Sequence, residues 1–187
     1  MNRFELAFFV RNSAEIISIE DYLALWRQGA ADWRPDTENA TLRLTVDGKE
    51  YIAPRWSLGS LRRLAPQLAP AAGRVAAGKP ALIRAGVDDS PTGTYFLLEP
   101  DPAGTVYISM LYVREYPYGH CYPIPAGSPQ AREIYGYILN HRERLLRENA
   151  DERNLFRQIP YPSDALSAAL ARQTSLAGEF WEVYGDN

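Results

Sequence analysis

Cysteine, histidine and lysine are scarce in this chain of 187 residues: one cysteine (Cys121), two histidines (His120, His141) and two lysines (Lys49, Lys79). A single thiol excludes an internal disulfide and fits a reducing compartment. A structural zinc site built on nitrogen and sulfur would need all three of Cys121, His120 and His141 plus a carboxylate, and neither Cys-x-x-Cys nor His-x-x-x-His spacing occurs. No metal is therefore expected. Asp88-Asp89 and Asp101 fall in loop-like sequence, without the spacing of an EF-hand. Basic charge is not in excess either. The formal net charge is −3, so the electrostatic attraction that dominates nucleic-acid binding is missing, and no nucleic-acid partner is expected.

Long apolar runs are absent as well. Nothing approaches the ~20 residues of a spanning helix, so no membrane association is expected. The segment Phe4–Val10 is too short for a signal core and is interrupted by Glu5, which makes a cytoplasmic protein the expectation. Gly-x-Ser-x-Gly and Gly-x-Gly-x-x-Gly do not occur, so the chain contains no familiar nucleophile elbow or dinucleotide loop. No cofactor is expected, and no catalytic residue is assigned.

What is present is the composition of a globular protein, 46% hydrophobic and 23% charged. At this length folding hides roughly 70% of the unfolded chain's surface, enough for a core without staples. The expectation is one domain over 1–187.

Apolar residues alternate at Phe4, Leu6, Phe8 and Val10, the period of a strand buried on one face. Ser18 is placed to cap a helix, with Asp21 three residues on and Gly29 at its end. Leu42, Leu44 and Val46 alternate up to Asp47-Gly48, a pair that tolerates the positive φ of a two-residue turn, so a hairpin is predicted over 41–53. Residues 57–78 have helical leucine spacing. Pro66 and Pro70 predict two short pieces rather than one helix.

Strands are predicted over 81–87, 94–99 and 105–114, the last two joined by a turn-rich Glu99–Gly104 loop. Pro and Gly make 116–127 a loop. Ser128-Pro129 opens a helix to about residue 148, with Glu143–Arg147 as an i,i+4 ion pair. A last helix begins near Ser163, and Trp181 and Tyr184 suggest that its end docks. Strands in the middle and helices at the end, without regular β-α alternation, predict an α+β fold: a largely antiparallel sheet of about five or six strands with helices packed on one face.

Several local motifs invite chemistry. Gly73–Pro80 nearly spells a phosphate-binding loop, but Pro80 stands where a magnesium-binding hydroxyl is needed, and a helix precedes the glycines instead of following them. A helix-ending Gly78 explains it better. His120 and Cys121 are neighbours, and in an extended segment neighbours point apart, so His120 is a poor base for Cys121. The stretch Tyr107–Tyr122 holds five tyrosines: Tyr107, Tyr112, Tyr116, Tyr118 and Tyr122. Either they form a recognition surface, since tyrosine and arginine concentrate at binding hot spots, or they cover a sheet edge beneath the 128–148 helix. Arg132, Arg142, Arg144 and Arg147 are interspersed with Glu133, Glu143 and Glu148, the pattern of a solvated, salt-bridged helix face.

The opening strand Phe4–Val10, the Thr-Leu-Arg-Leu-Thr-Val-Asp-Gly hairpin and the Tyr-Phe-Leu-Leu-Glu-Pro strand leading to a late helix resemble small cytoplasmic immunity proteins of bacterial polymorphic toxin systems. The resemblance implies a non-catalytic protein that binds and neutralises a cognate toxin domain. Its candidate contact residues are Asp88, Asp89, Glu99, Asp101, Tyr116, Tyr118, His120 and Tyr122. Two other readings stand beside it: a small enzyme using Cys121 or a carboxylate pair, and a dimeric chaperone or adaptor for a secreted protein.

Overall fold

The structure is a computed structural model that describes residues 4–11, 16–31, 33, 35–46, 49–52, 61–84, 93–113, 129–149 and 158–185. Among the described residues, eight strands and five helices follow in the order β1 (Phe4–Arg11), β2 (Ile16–Ser18), α1 (Ile19–Arg27), β3 (Asp36–Val46), β4 (Lys49–Ile52), α2 (Leu61–Ala76), β5 (Ala81–Arg84), β6 (Gly93–Pro100), β7 (Thr105–Val113), α3 (Pro129–Asn140), α4 (Arg142–Glu148), β8 (Ile159–Pro162) and α5 (Ser163–Gly185). The fold is α+β, and every strand pairing among the described residues is antiparallel. The strands divide into two four-stranded sheets, β2-β1-β3-β4 and β5-β6-β7-β8.

Local signals act where the sequence places them. Ser18 caps α1: its Oγ accepts the Asp21 N–H at 3.0 Å and donates to the Asp21 carboxylate at 2.6 Å. Gly29, at φ 67°, ends that helix, with the Ala30 N–H returning to the Leu25 carbonyl. Gly78, at φ 65°, ends α2 in the same way, with the Lys79 N–H on the Arg74 carbonyl. The phosphate-loop look-alike is thus a helix C-terminus. The hairpin forms, with Val46 opposite Lys49, while Asp47 and Gly48 themselves lie outside the described residues.

Helix α2 departs from expectation, because Pro66 and Pro70 sit inside one continuous helix. Four residues apart, both are exposed, and the helical bonds they cannot make are those to the carbonyls of Arg62 and Pro66, on the same ridge. The opposite side buries Leu61, Leu64, Leu68 and Val75. Burial of such side chains contributes about 1.5–3 kcal/mol each. That outweighs the cost of about 3 kcal/mol for each interior proline.

Two cores lie on opposite faces of the second sheet. β6 reads Tyr-Phe-Leu-Leu at 95–98 and buries all four, Phe96 and Leu98 into one core, Tyr95 and Leu97 into the other. In β7, Val106, Ile108 and Met110 share the first core, and Leu111 and Val113 the second. A strand covered on both faces loses apolar–polar alternation and shows a continuous apolar run instead. The larger core joins α1, α2 and α5 to residues of both sheets; the smaller one seats α3 and α4 on the far face of the second sheet. Helices therefore occupy both faces of this sheet, where the sequence pattern placed them on one.

Helix α1 runs alongside α5. Glu20 meets Arg172 at 2.5 Å, and seven residues further along both helices Arg27 meets Glu179, so the two run in the same direction. Tyr22 packs on Phe180 with centroids 5.6 Å apart, and Phe180 stacks on Tyr184 at 5.6 Å, so the end of α5 is docked as expected. The predicted 128–148 helix is interrupted at His141, where the ring Nδ1 lies 2.9 Å from the Tyr137 carbonyl and the Arg142 guanidinium takes the Leu139 carbonyl. Its i,i+4 ion pair is Arg144–Glu148 at 3.4 Å instead of Glu143–Arg147, and Arg144 also donates to the Tyr137 hydroxyl at 2.6 Å.

Candidate functional site

Among the described residues, α3 and α4 leave part of the second-sheet face that carries them exposed. Period two places Glu99 on this face of β6 with Tyr95 and Leu97, and Tyr107 on this face of β7 with Leu111 and Val113. Glu99, Tyr107 and Pro160 are consecutive partners across β6, β7 and β8. Tyr107 is 36% exposed although its strand neighbours Val106 and Ile108 are buried, and Pro160 is exposed too. These residues form a ledge at the margin of the helix layer.

Arg142 at the start of α4 closes one side of the ledge. Its Nε donates to Glu99 Oε1 at 2.8 Å, and its Nη1 donates to the Leu139 carbonyl at 2.9 Å. The two contacts hold the guanidinium plane beside Tyr107's neighbour across the strand pair. Gln158 flanks the other side and has φ 46°, a left-handed backbone unusual for a residue with a side chain. Its N–H donates to the hydroxyl of the fully buried Ser109 at 2.9 Å, which fixes the entry into β8.

Of the contact residues predicted from sequence, Glu99 reaches the ledge, paired to Arg142. Asp101 does not, because it shapes the β6–β7 turn: Oδ1 accepts the N–H groups of Ala103 at 2.9 Å and Thr105 at 3.0 Å. Such an Asx turn consumes the carboxylate locally. Asp88, Asp89, Tyr116, Tyr118, His120 and Tyr122 lie outside the described residues, as does Cys121. Sequence reasoning missed Gln158 and Pro160, because Ile-Pro-Tyr-Pro at 159–162 has the composition of a loop. Tyr107 was visible only as one of five tyrosines; its place opposite Glu99 follows from register.

Among the described residues no group of three or more His, Cys, Asp or Glu side chains is arranged to hold a metal ion. No helix among them is long and apolar enough to cross a membrane. The buried polar side chains Ser109, Asn149 and Gln173 are each spent on a backbone group: the Gln158 N–H, both backbone groups of Tyr112, and the Phe8 N–H. Comparison with protein-family models, curated proteins and solved structures finds no match to this chain.

Proposed function

We propose that this chain is a non-catalytic binding protein that neutralises a cognate toxin domain, and that Tyr107 is central to the contact. The observation that carries this reading is a tyrosine exposed on a strand whose other residues are buried or half-buried. Such a ring is rigidly presented and loses little side-chain entropy on binding. Arg142, held at two points, stands near it, and Tyr and Arg are the residue types most enriched where binding energy concentrates. Glu99 and Asp101 are engaged by Arg142 and by backbone N–H groups, so acidic mimicry by these two carboxylates is the weaker part of the sequence-based expectation.

The test is co-expression with a toxic domain encoded next to its gene. The wild-type chain rescues growth and binds the domain. Tyr107→Ala keeps the fold but weakens binding by about tenfold or more, the scale of a hot-spot residue. Failure of the wild-type chain to protect against or bind such a domain overturns the proposal, and unchanged affinity in Tyr107→Ala removes the ledge from it.

A further inference from the structure

The outward N–H groups of β5 are divided between two helix layers. The Leu82 N–H donates to the Tyr135 hydroxyl of α3 at 3.0 Å. Two residues on, the Arg84 N–H donates to Gln67 Oε1 of α2 at 2.8 Å. The outer layer has two more polar pins: Arg142 on Glu99, and Asn149, whose side-chain amide accepts the Tyr112 N–H at 2.6 Å and donates to the Tyr112 carbonyl at 3.1 Å. Its apolar hold is small. Among the described residues only Ile134, Ile138 and Leu145 of α3 and α4 are buried, with Tyr135, Tyr137, Leu139 and Leu146 packed beside them half-buried, whereas α2 alone buries Leu61, Leu64, Ala65, Leu68, Ala71 and Val75.

The two outer helices are also stitched to each other. The His141 N–H and ring both meet the Tyr137 carbonyl, the Leu145 N–H takes the His141 carbonyl, and Arg142 and Arg144 reach back to Leu139 and Tyr137. We infer that α3 and α4 release from the second sheet and re-dock as one unit, while α2, α5 and both sheets stay folded. A layer with its own small core and its own pins is the kind of segment that opens below the free energy of global unfolding. Release uncovers Tyr95, Leu97, Leu111 and Val113, the apolar strip that continues from Tyr107 on the same face.

Native-state hydrogen exchange of the full chain in low urea tests this. The amides of Leu82 and Tyr112 exchange about tenfold or more faster than that of Arg84, with one shared and shallow urea dependence. A destabilising change in the inner core, Gln173→Leu, speeds Arg84 by about tenfold and leaves Leu82 and Tyr112 within about twofold, because both states linked by the outer opening lose the same contact. The milder Leu68→Val gives the same pattern should Gln173→Leu not fold. Tyr135→Phe, which removes the Leu82 pin, speeds Tyr112. Acceleration of all three amides together by the inner-core variant would show one cooperative unit and overturn the proposal. An unchanged Tyr112 in Tyr135→Phe would show pins that open separately, with the same consequence.

Discussion

Gln173, in the middle of the last helix, accepts the N–H of Phe8, in the first strand, through its Oε1 at 3.0 Å in a fully buried setting. β2 ends at Ser18, opposite Phe9, so the Phe8 N–H lies just past the last residue of its neighbouring strand. The side-chain amide takes the place of the missing strand. A buried backbone donor left unpaired costs about 1–3 kcal/mol. Gln173→Leu is therefore expected to lower stability by about that amount in urea denaturation, despite adding apolar volume. A midpoint equal to wild type would show that the Phe8 N–H has another partner.

The prolines of α2 lead to the opposite sign. Each removes one backbone hydrogen bond of the helix, and both rings are exposed. Pro66→Ala and Pro70→Ala restore an N–H to the helix. Each is expected to raise stability by about 1–3 kcal/mol, reduced by the freedom alanine gives the unfolded chain. A lower melting temperature in both variants would mean that the rings pack on a neighbour.

Gln158 holds a left-handed φ of 46° against the bond from its N–H to Ser109. Glycine adopts that conformation without the penalty of a Cβ. Gln158→Gly should leave stability unchanged or raise it by up to about 1 kcal/mol, whereas Ser109→Ala should lower it by about 1–3 kcal/mol through the lost acceptor. Thermal unfolding of the two variants separates these effects. Equal losses in both would argue that the Gln158 side chain matters more than its backbone.

The Glu99–Arg142 pair is partly open to water, with the arginine 38% and the glutamate 23% exposed. Solvent screening keeps such pairs near or below about 1 kcal/mol. Glu99→Gln should cost no more than that, and the difference from wild type should shrink in high salt. A salt-independent loss of several kcal/mol would place the pair in a drier setting than its exposure indicates.

Sheet edges show how these side chains were recruited. The outer edge of β5 is covered by Tyr135 and by Gln67, which takes both the N–H and the carbonyl of Arg84. β8 carries Pro160 and Pro162, which supply no N–H to a visiting strand. Beyond β8, Asn149 pairs with Tyr112 as a short strand would. All of this blunts the edges against uncontrolled pairing.

The sequence by itself determined the elements whose cause is local. Ser18 with Asp21 starts α1, Gly29 and Gly78 end helices at positive φ, and alternation around Asp47-Gly48 pairs β3 with β4. These depend on backbone angles and hydrogen bonds spanning a few residues, which side-chain type sets directly. Tertiary structure alone decided that α2 stays whole, that the strands split into two sheets, and that Tyr107 stands beside Glu99 while Asp101 folds into its own turn. Gln67, Asn149 and Gln173 look like ordinary surface residues in the sequence. Their partners lie 17, 37 and 165 residues away, and only the folded chain's need to satisfy buried and half-buried backbone groups brings them together.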